Sequence, residues 1–148
     1  MEKKELYLVS ACLVGSPCRY DGRDALCGPA AKLAAQGRAV PVCPEQLGGL
    51  TIPRSSCELT DQQGEIRIRN KDGEDFTEEF LLGARRTLDI AKVLGVRTAI
   101  MKSKSPSCGC GRIYDGTFSG KLVPGYGVAA RLLMEEGIEI VTEEELAE

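Results

Sequence analysis

Residues 75–101 read DFTEEFLLGARRTLDIAKVLGVRTAIM and carry the clearest indication of the fold class. Apolar residues recur through most of this stretch at spacings of three and four, which is typical of a helix with one buried face. Asp75 is a candidate for the helix N-cap and Gly95 follows the last helical residue, so we predict a helix over 75–94. The short apolar run 96–101 then predicts a strand that is buried on both faces.

The same alternation of strand and helix continues on both sides of this stretch. Strands that alternate with helices are typical of a doubly wound α/β domain with a mainly parallel sheet and helices on both faces. The exception lies between Cys57 and Gly73, where alternating residues around 66–68 predict a small excursion with one exposed strand. The other predicted elements are a strand over 6–11, a helix over 30–36, a strand over 38–42, a helix over 127–136 and a strand over 138–141.

The composition favours a single domain over 1–148 and argues against two classes of partner. Hydrophobic residues make up 43% of the 148 residues, which is enough for a core that needs no disulfides. The formal net charge is -3 and both signs are mixed along the chain, so we expect no basic face for a nucleic acid polymer. No segment approaches the length of a membrane span, so we expect no membrane partner. The sequence does not indicate an oligomeric state.

The seven cysteines are expected to be reduced thiols in the cytoplasm. Their odd number would leave one unpaired in any closed disulfide framework. The opening MEKKELYLVSAC imitates a bacterial lipoprotein signal, but its apolar run over 6–9 is shorter than the ~7–15 residues that a signal core needs. We therefore do not expect export to an oxidising compartment.

Three cysteines occupy corresponding places at the ends of predicted strands. Cys12 ends the first strand, Cys43 ends the second, and Cys108 lies in the loop beyond the strand over 96–101. Ligands of doubly wound sheets bind in the crevice beyond the carboxyl ends of the strands, so we expect these three thiols to converge there. The alternative for each is a small buried hydrophobe. No such placement applies to the other cysteines, which are Cys18, Cys27, Cys57 and Cys110.

Converging thiolates are consistent with zinc or with an iron–sulfur cluster. A zinc site would need four ligands, for example Cys12, Cys43, Cys108 and Cys110, although the chain has no histidine and no C-x-x-C pair. A cluster held by three cysteines would leave one iron open to a ligand, and an open position is typical of a catalytic metal. Cys108-Gly109-Cys110 is too tight for the usual disulfide-exchange motif.

Polar residues beside these cysteines are suited to proton transfer. Glu45 stands two residues after Cys43 and is a candidate proton donor or acceptor, with a solvated acid at a helix start as the alternative. Ser105 and Ser107 precede Cys108, and their hydroxyls are candidates to orient a substrate or water, with turn formation as the alternative. No phosphate-binding glycine motif is present, so a nucleotide site has no support.

Four segments together resemble a bacterial family catalogued as domain-of-unknown-function family 523, whose characterised relatives are thiouracil desulfurases. The segments are VSACLVGSPCRYDG at 9–22, VCPEQLGGLTIPR at 42–54, KSPSCGCGRIYDGTFSG at 104–120 and the helix start GYGVAA at 125–130. Nearly the whole chain is covered, in the order that the family has. The resemblance implies a Rossmann-like fold and an enzyme that removes sulfur from a thiolated base.

The resemblance also implies a cofactor and roles for particular residues. It implies a [4Fe-4S] cluster on Cys12, Cys43 and Cys108, with the fourth iron available for the sulfur of the substrate. It implies that Glu45 and Ser105 take part in proton transfer. Cys110 has no ligand role in this pattern, although Cys18 or Cys110 could close the fourth iron or support zinc. Candidates for base recognition, on their place in the shared segments alone, are Arg19, Tyr20, Asp21, Tyr114 and Asp115.

Two hypotheses follow from the sequence. The first is a cytoplasmic, cluster-dependent desulfurase that acts on a small thiolated nucleobase, such as 2-thiouracil, or on a related thioamide. The second is a zinc- or cluster-binding scaffold or sensor without turnover. A chain whose cysteines only pack, and which serves as an interaction domain, is a third reading.

Overall fold

A four-stranded parallel sheet forms the centre of the computed structural model, which describes residues 5–146. Its strands, in spatial order, are β2 (Ala39–Val42), β1 (Tyr7–Ser10), β5 (Thr98–Met101) and β8 (Glu139–Thr142). Leu8 of β1 pairs with Val40 on one side and with Ala99 on the other, so the central strands are in register over most of their length. The predicted α/β fold with a mainly parallel sheet is confirmed.

Four α-helices accompany the sheet: α1 (Gly28–Ala35), α2 (Pro44–Leu47), α3 (Thr77–Leu94) and α4 (Val128–Glu135). Alternate residues of β1 enter two separate hydrophobic clusters, as the period of two in a strand requires. Leu8 packs in the cluster that contains α3 and α4, whereas Val9 packs in the cluster that contains Ala30 of α1. Helices therefore cover both faces of the sheet, as predicted.

Helix α2 lies against α3 with the two backbones in direct contact. A Cβ atom added at Gly48, just after α2, would overlap the carbonyl oxygen of Glu79 in α3. A Cβ atom added at Gly83 of α3 would likewise overlap the carbonyl oxygen of Pro44. Only glycine fits at this crossing, and the contact fixes the segment that carries Cys43 and Glu45.

Outside the central sheet the structure contains two antiparallel hairpins, and the predictions for both segments were wrong or missing. The segment 57–73 contains two strands rather than one, β3 (Cys57–Gln62) and β4 (Glu65–Asn70), and Ile68 is buried in the core instead of exposed. The second hairpin, β6 (Cys110–Tyr114) with β7 (Leu122–Tyr126), was not predicted. Gly111, Pro124 and Gly125 interrupt the alternation of these two strands, so their pattern is weak.

The predicted element boundaries differ from the observed ones by one to two residues at most ends. Helix α3 begins at Thr77, and its N-cap is Phe76 rather than the predicted Asp75. The Asp75 carboxylate accepts the Thr77 backbone N–H at 2.9 Å from a turn that precedes the helix. Within residues 5–146, no helix is long and apolar enough to cross a membrane. The charged start of the signal-like opening, residues 1–4, lies outside the described part of the chain.

Candidate functional site

A cavity of about 410 Å³ lies beyond the carboxyl ends of β1, β2 and β5. The three candidate cluster ligands and the two residues to which the resemblance assigns proton transfer all line it, namely Cys12, Cys43, Cys108, Glu45 and Ser105. This is the edge of a parallel sheet where ligands bind, because the strand ends and the following loops leave a crevice there. Residues far apart in sequence are thus brought together as the strand-end rule predicts.

Each of the three cysteines is held by a short element that follows a strand. Cys12 lies in a 3-10 turn over 11–14, directly after β1, and is buried. Cys43 is the residue before α2, and Pro44 begins that helix with a ring that fits its first turn. The loop after β5 carries Cys108, whose side chain is buried.

The Cys108 loop is anchored by the start of α4. The carbonyl of Pro106 accepts the backbone N–H of Val128 at 2.9 Å, and that of Ser107 accepts the N–H of Ala129 at 2.9 Å. These N–H groups have no partner within the helix, so the loop satisfies them and is fixed by them in return. A Cβ atom at Gly127 would overlap the Ser107 backbone, which explains the glycine at this position.

The thiols of Cys43 and Cys108 favour the neutral form as long as no cation is bound. Burial raises the pKa of Cys108 to about 12, and the hydroxyls of Ser10 and Ser107 oppose the shift only in part. Hydrogen bonding with the Cys18 thiol, followed by burial, raises the pKa of Cys43. A bound metal centre reverses this preference because a coordinating thiol is deprotonated outright. Three soft donors around one cavity, two of them buried and Cys43 half-buried, fit an iron–sulfur cluster.

A network of hydrogen bonds joins Glu45 to the cysteine loop. Ser107 Oγ donates to Glu45 Oε2 at 2.8 Å, and Ser105 Oγ lies 3.4 Å from the same oxygen. The two hydroxyls are 2.8 Å apart, and Ser105 Oγ accepts the backbone N–H groups of Ser107 and Cys108 at 3.0 and 3.1 Å. Ser107 Oγ also lies 3.6 Å from Cys108 Sγ. Consecutive contacts through the two hydroxyls therefore link Glu45 to the side chain of Cys108.

Ser107 takes a larger part in this network than its neighbour does. Its side chain is fully buried and makes the shorter contact with Glu45. The sequence offered Ser105 and Ser107 as equals, and the resemblance assigned a role to Ser105 alone. The two serines of SPSCG differ in what their hydroxyls contact. The Ser105 hydroxyl accepts the backbone N–H groups of Ser107 and Cys108, and the resulting turn directs the Ser107 side chain inwards.

Arg54 is the residue of the site that sequence reasoning missed. Its guanidinium contacts Glu45 Oε1 twice, through Nη2 at 2.9 Å and Nε at 3.2 Å, and its side chain is 9% exposed. Arg54 ends the segment TIPR in one of the shared blocks. A lone arginine in a polar loop, however, gives no indication of its partner.

The remaining cysteines divide into two pairs. Cys18 and Cys57 line the cavity, and the backbone carbonyl of Cys18 lies 4.0 Å from Cys43 Sγ. Cys27 and Cys110 do not line it, and Cys110 begins β6 opposite Tyr126. The zinc set that includes Cys110 is therefore not assembled, and no group of three or more Cys, Asp or Glu side chains in residues 5–146 is arranged to hold a single metal ion.

The candidates for base recognition also divide. Arg19, Tyr20 and Tyr114 line the cavity, and the Arg19 guanidinium lies 5.8 Å from the centre of the Tyr20 ring. The two acids are turn residues instead. Asp21 accepts the backbone N–H of the residue two places on at 3.0 Å, and Asp115 does the same at 2.9 Å.

Comparison with known proteins places this chain in a family. Residues 7–145 match the family model of the 2-thiouracil desulfurases. The protein YbbK of Bacillus subtilis (strain 168), described as uncharacterized, is 44% identical over 147 residues, which is 95% of this chain and 97% of the relative. A solved structure, the [4Fe-4S]-dependent thiouracil desulfidase TudS (DUF523Vcz), matches with a TM-score of 0.88 and 43% identity over 97% of this chain and 93% of that one. The chain belongs to the 2-thiouracil desulfurase family of enzymes.

Proposed function

We propose that this protein is a cytoplasmic, [4Fe-4S]-dependent desulfurase of a small thiolated nucleobase of the 2-thiouracil type. The observation that carries the proposal is one cavity lined by Cys12, Cys43 and Cys108 together with the Glu45 network. The family and the likeness to a [4Fe-4S]-dependent thiouracil desulfidase support it. All seven cysteines are free thiols, which suits the reducing cytoplasm.

Cys12, Cys43 and Cys108 are the residues that would hold the cluster. When bound, the cluster would supply a soft Lewis acid suited to a thione sulfur. A cavity of about 410 Å³ lies within the usual range for small-molecule sites. Tyr20 and Tyr114 line it as aromatic walls against which a planar ring could pack.

The chain's own residues supply the proton transfers. Glu45 takes a proton from the water that attacks the thione carbon, and Oε2 is the oxygen that faces the cavity-side hydroxyls. The hydroxyls of Ser105 and Ser107 carry a proton towards the sulfur as it leaves. A carbon–oxygen bond forms, the carbon–sulfur bond breaks, and hydrogen sulfide is the second product. The exchange is hydrolytic, so no electrons enter or leave.

Anaerobic purification with assays of iron, acid-labile sulfide and sulfide release tests the proposal. We expect iron and sulfide in the protein, and release of sulfide with formation of uracil from 2-thiouracil. Cys108→Ser should lose iron and activity, whereas Cys27→Ser, a matched change outside the cavity, should keep both. A colourless protein that cannot be reconstituted with iron would refute the proposal, and stoichiometric zinc would favour a binding module. Equal turnover of an acyclic thioamide would refute the substrate class.

A further inference from the structure

Arg54 donates hydrogen bonds to four other residues. Besides its two hydrogen bonds to Glu45, Nη1 donates to the carbonyl of Thr51 at 3.0 Å and Nη2 to the carbonyl of Cys18 at 3.1 Å. Its backbone N–H donates to the carbonyl of Tyr20 at 2.8 Å. Every nitrogen of the guanidinium is therefore engaged, and little of the side chain meets solvent.

These contacts leave the two oxygens of Glu45 with different partners. Oε1 is occupied by the guanidinium of Arg54, whereas Oε2 accepts from Ser107. A carboxylate held at one oxygen by two N–H groups cannot rotate without breaking both bonds. The oxygen left to receive a proton is therefore Oε2, on the side of the seryl hydroxyls.

We propose that Arg54 is the residue that positions Glu45 for proton transfer, an inference that rests on the desulfurase function proposed above. Arg54 acts on the reaction through Glu45 and transfers no proton itself. The planar guanidinium suits this task because it offers several N–H groups in a fixed fork, which the single ammonium of a lysine does not.

The same arginine also holds the loop that carries Cys18 and Tyr20, so a purely structural role has to be distinguished. The carbonyl of Cys18 accepts from Arg54 Nη2 at 3.1 Å and lies 4.0 Å from Cys43 Sγ. If Arg54 served mainly to hold this loop, its loss would disturb the cysteine site and lower the iron content. If it positions Glu45, its loss leaves the iron in place and slows turnover.

The test compares Arg54→Ala, Arg54→Lys and Arg131→Ala in anaerobically purified, cluster-loaded protein. Arg131 is the matched control because it pairs with Asp61 at 3.8 Å and does not line the cavity. For Arg54→Ala we expect wild-type iron content, little change in KM and a fall in kcat on the order of 10²-fold, as for a displaced catalytic group. Guanidinium ion at millimolar concentration should restore part of that kcat, and ammonium ion should not.

Arg54→Lys should lie between wild type and Arg54→Ala, and it stands in for the alanine variant if that one does not fold. Glu45→Gln combined with Arg54→Ala should be no slower than Glu45→Gln alone, because a residue that acts only through Glu45 has nothing left to position. Losses of kcat that multiply in the double variant would overturn the inference. So would loss of iron in both Arg54 variants, or a kcat in Arg54→Ala equal to that of Arg131→Ala. Failure of wild-type protein to carry iron and release sulfide would overturn the proposed function and this inference with it.

Discussion

Replacing Gly83 by alanine tests how the structure fixes the segment that carries Cys43 and Glu45. An alanine at a helix interior position normally stabilises a protein by about 1 kcal/mol relative to glycine. At Gly83 the new Cβ would overlap the carbonyl of Pro44, and backbone atoms there cannot move aside as a side chain would. Overpacking in a close-packed interior costs typically ~1–3 kcal/mol.

The two effects have opposite signs, so the sign of the measured change in the free energy of unfolding shows which effect is larger. Because the overlap is with backbone, we expect the upper part of the overpacking range and a net destabilisation of about 1–2 kcal/mol for Gly83→Ala. Urea denaturation of the metal-free protein measures it, with Val93→Ala on the exposed side of α3 as control. The control should change stability by no more than about 0.5 kcal/mol. A Gly83→Ala variant as stable as wild type, or more stable, would refute the contact between α2 and α3.

Five further substitutions probe the site and its supports. Glu45→Gln should keep its iron and lose roughly 10²–10⁴-fold in kcat, as expected for a general acid–base group, and Ser107→Ala should slow turnover more than Ser105→Ala because it removes the shorter contact to Glu45. Cys110→Ser should leave iron content and kcat unchanged, since this thiol does not line the cavity. Glu143→Gln should make the stability of the protein less sensitive to acid.

The sign of the Glu143 effect follows from its surroundings. Burial raises the pKa of this carboxyl, but hydrogen bonds from Lys102 and Ser103 outweigh burial, so the net pKa is lowered. A lowered pKa contributes stability above the unfolded value of about 4.3 and loses it as the pH falls through the folded pKa. Urea midpoints at pH 7 and in this acidic range measure the difference. Equal acid sensitivity in wild type and variant would contradict the lowered pKa of Glu143.

Glu45→Gln and Cys110→Ser have equally direct contrary results. Retention of kcat by Glu45→Gln would remove the acid–base role from that residue. Loss of iron from Cys110→Ser would mean that the loop after β5 presents this cysteine to the metal, against its placement at the start of β6.

Local patterns explain how much of the fold could be predicted from the sequence. Helix α3 and strand β5 each carry a complete signal in one continuous segment, so the type of α3 follows from its periodicity and that of β5 from the shortness of its apolar run. The convergence of Cys12, Cys43 and Cys108 follows because carboxyl ends of parallel strands share an edge. The hairpin of β6 and β7 escaped prediction because glycine and proline break its alternation, and pairing between strands leaves no mark within either one.

The parts of the site that escaped prediction depend on contacts between segments. Arg54 and Glu45 are nine residues apart, and their contact depends on the turn between them, which residue spacing does not specify. Ser105 and Ser107 look alike in the sequence, and only hydrogen bonding to the backbone separates the one that caps the turn from the one that points to Glu45. The sequence likewise does not distinguish Cys18, which lines the cavity, from Cys110, which does not.

The most direct test of the central claim is an anaerobic crystal structure with anomalous data at the iron edge. We expect four irons in the cavity beyond β1, β2 and β5, three of them bound by Cys12, Cys43 and Cys108, and the fourth bound by no cysteine of the chain. A cluster closed by Cys18 as fourth ligand, a single metal ion, or irons bound elsewhere in the protein would contradict it.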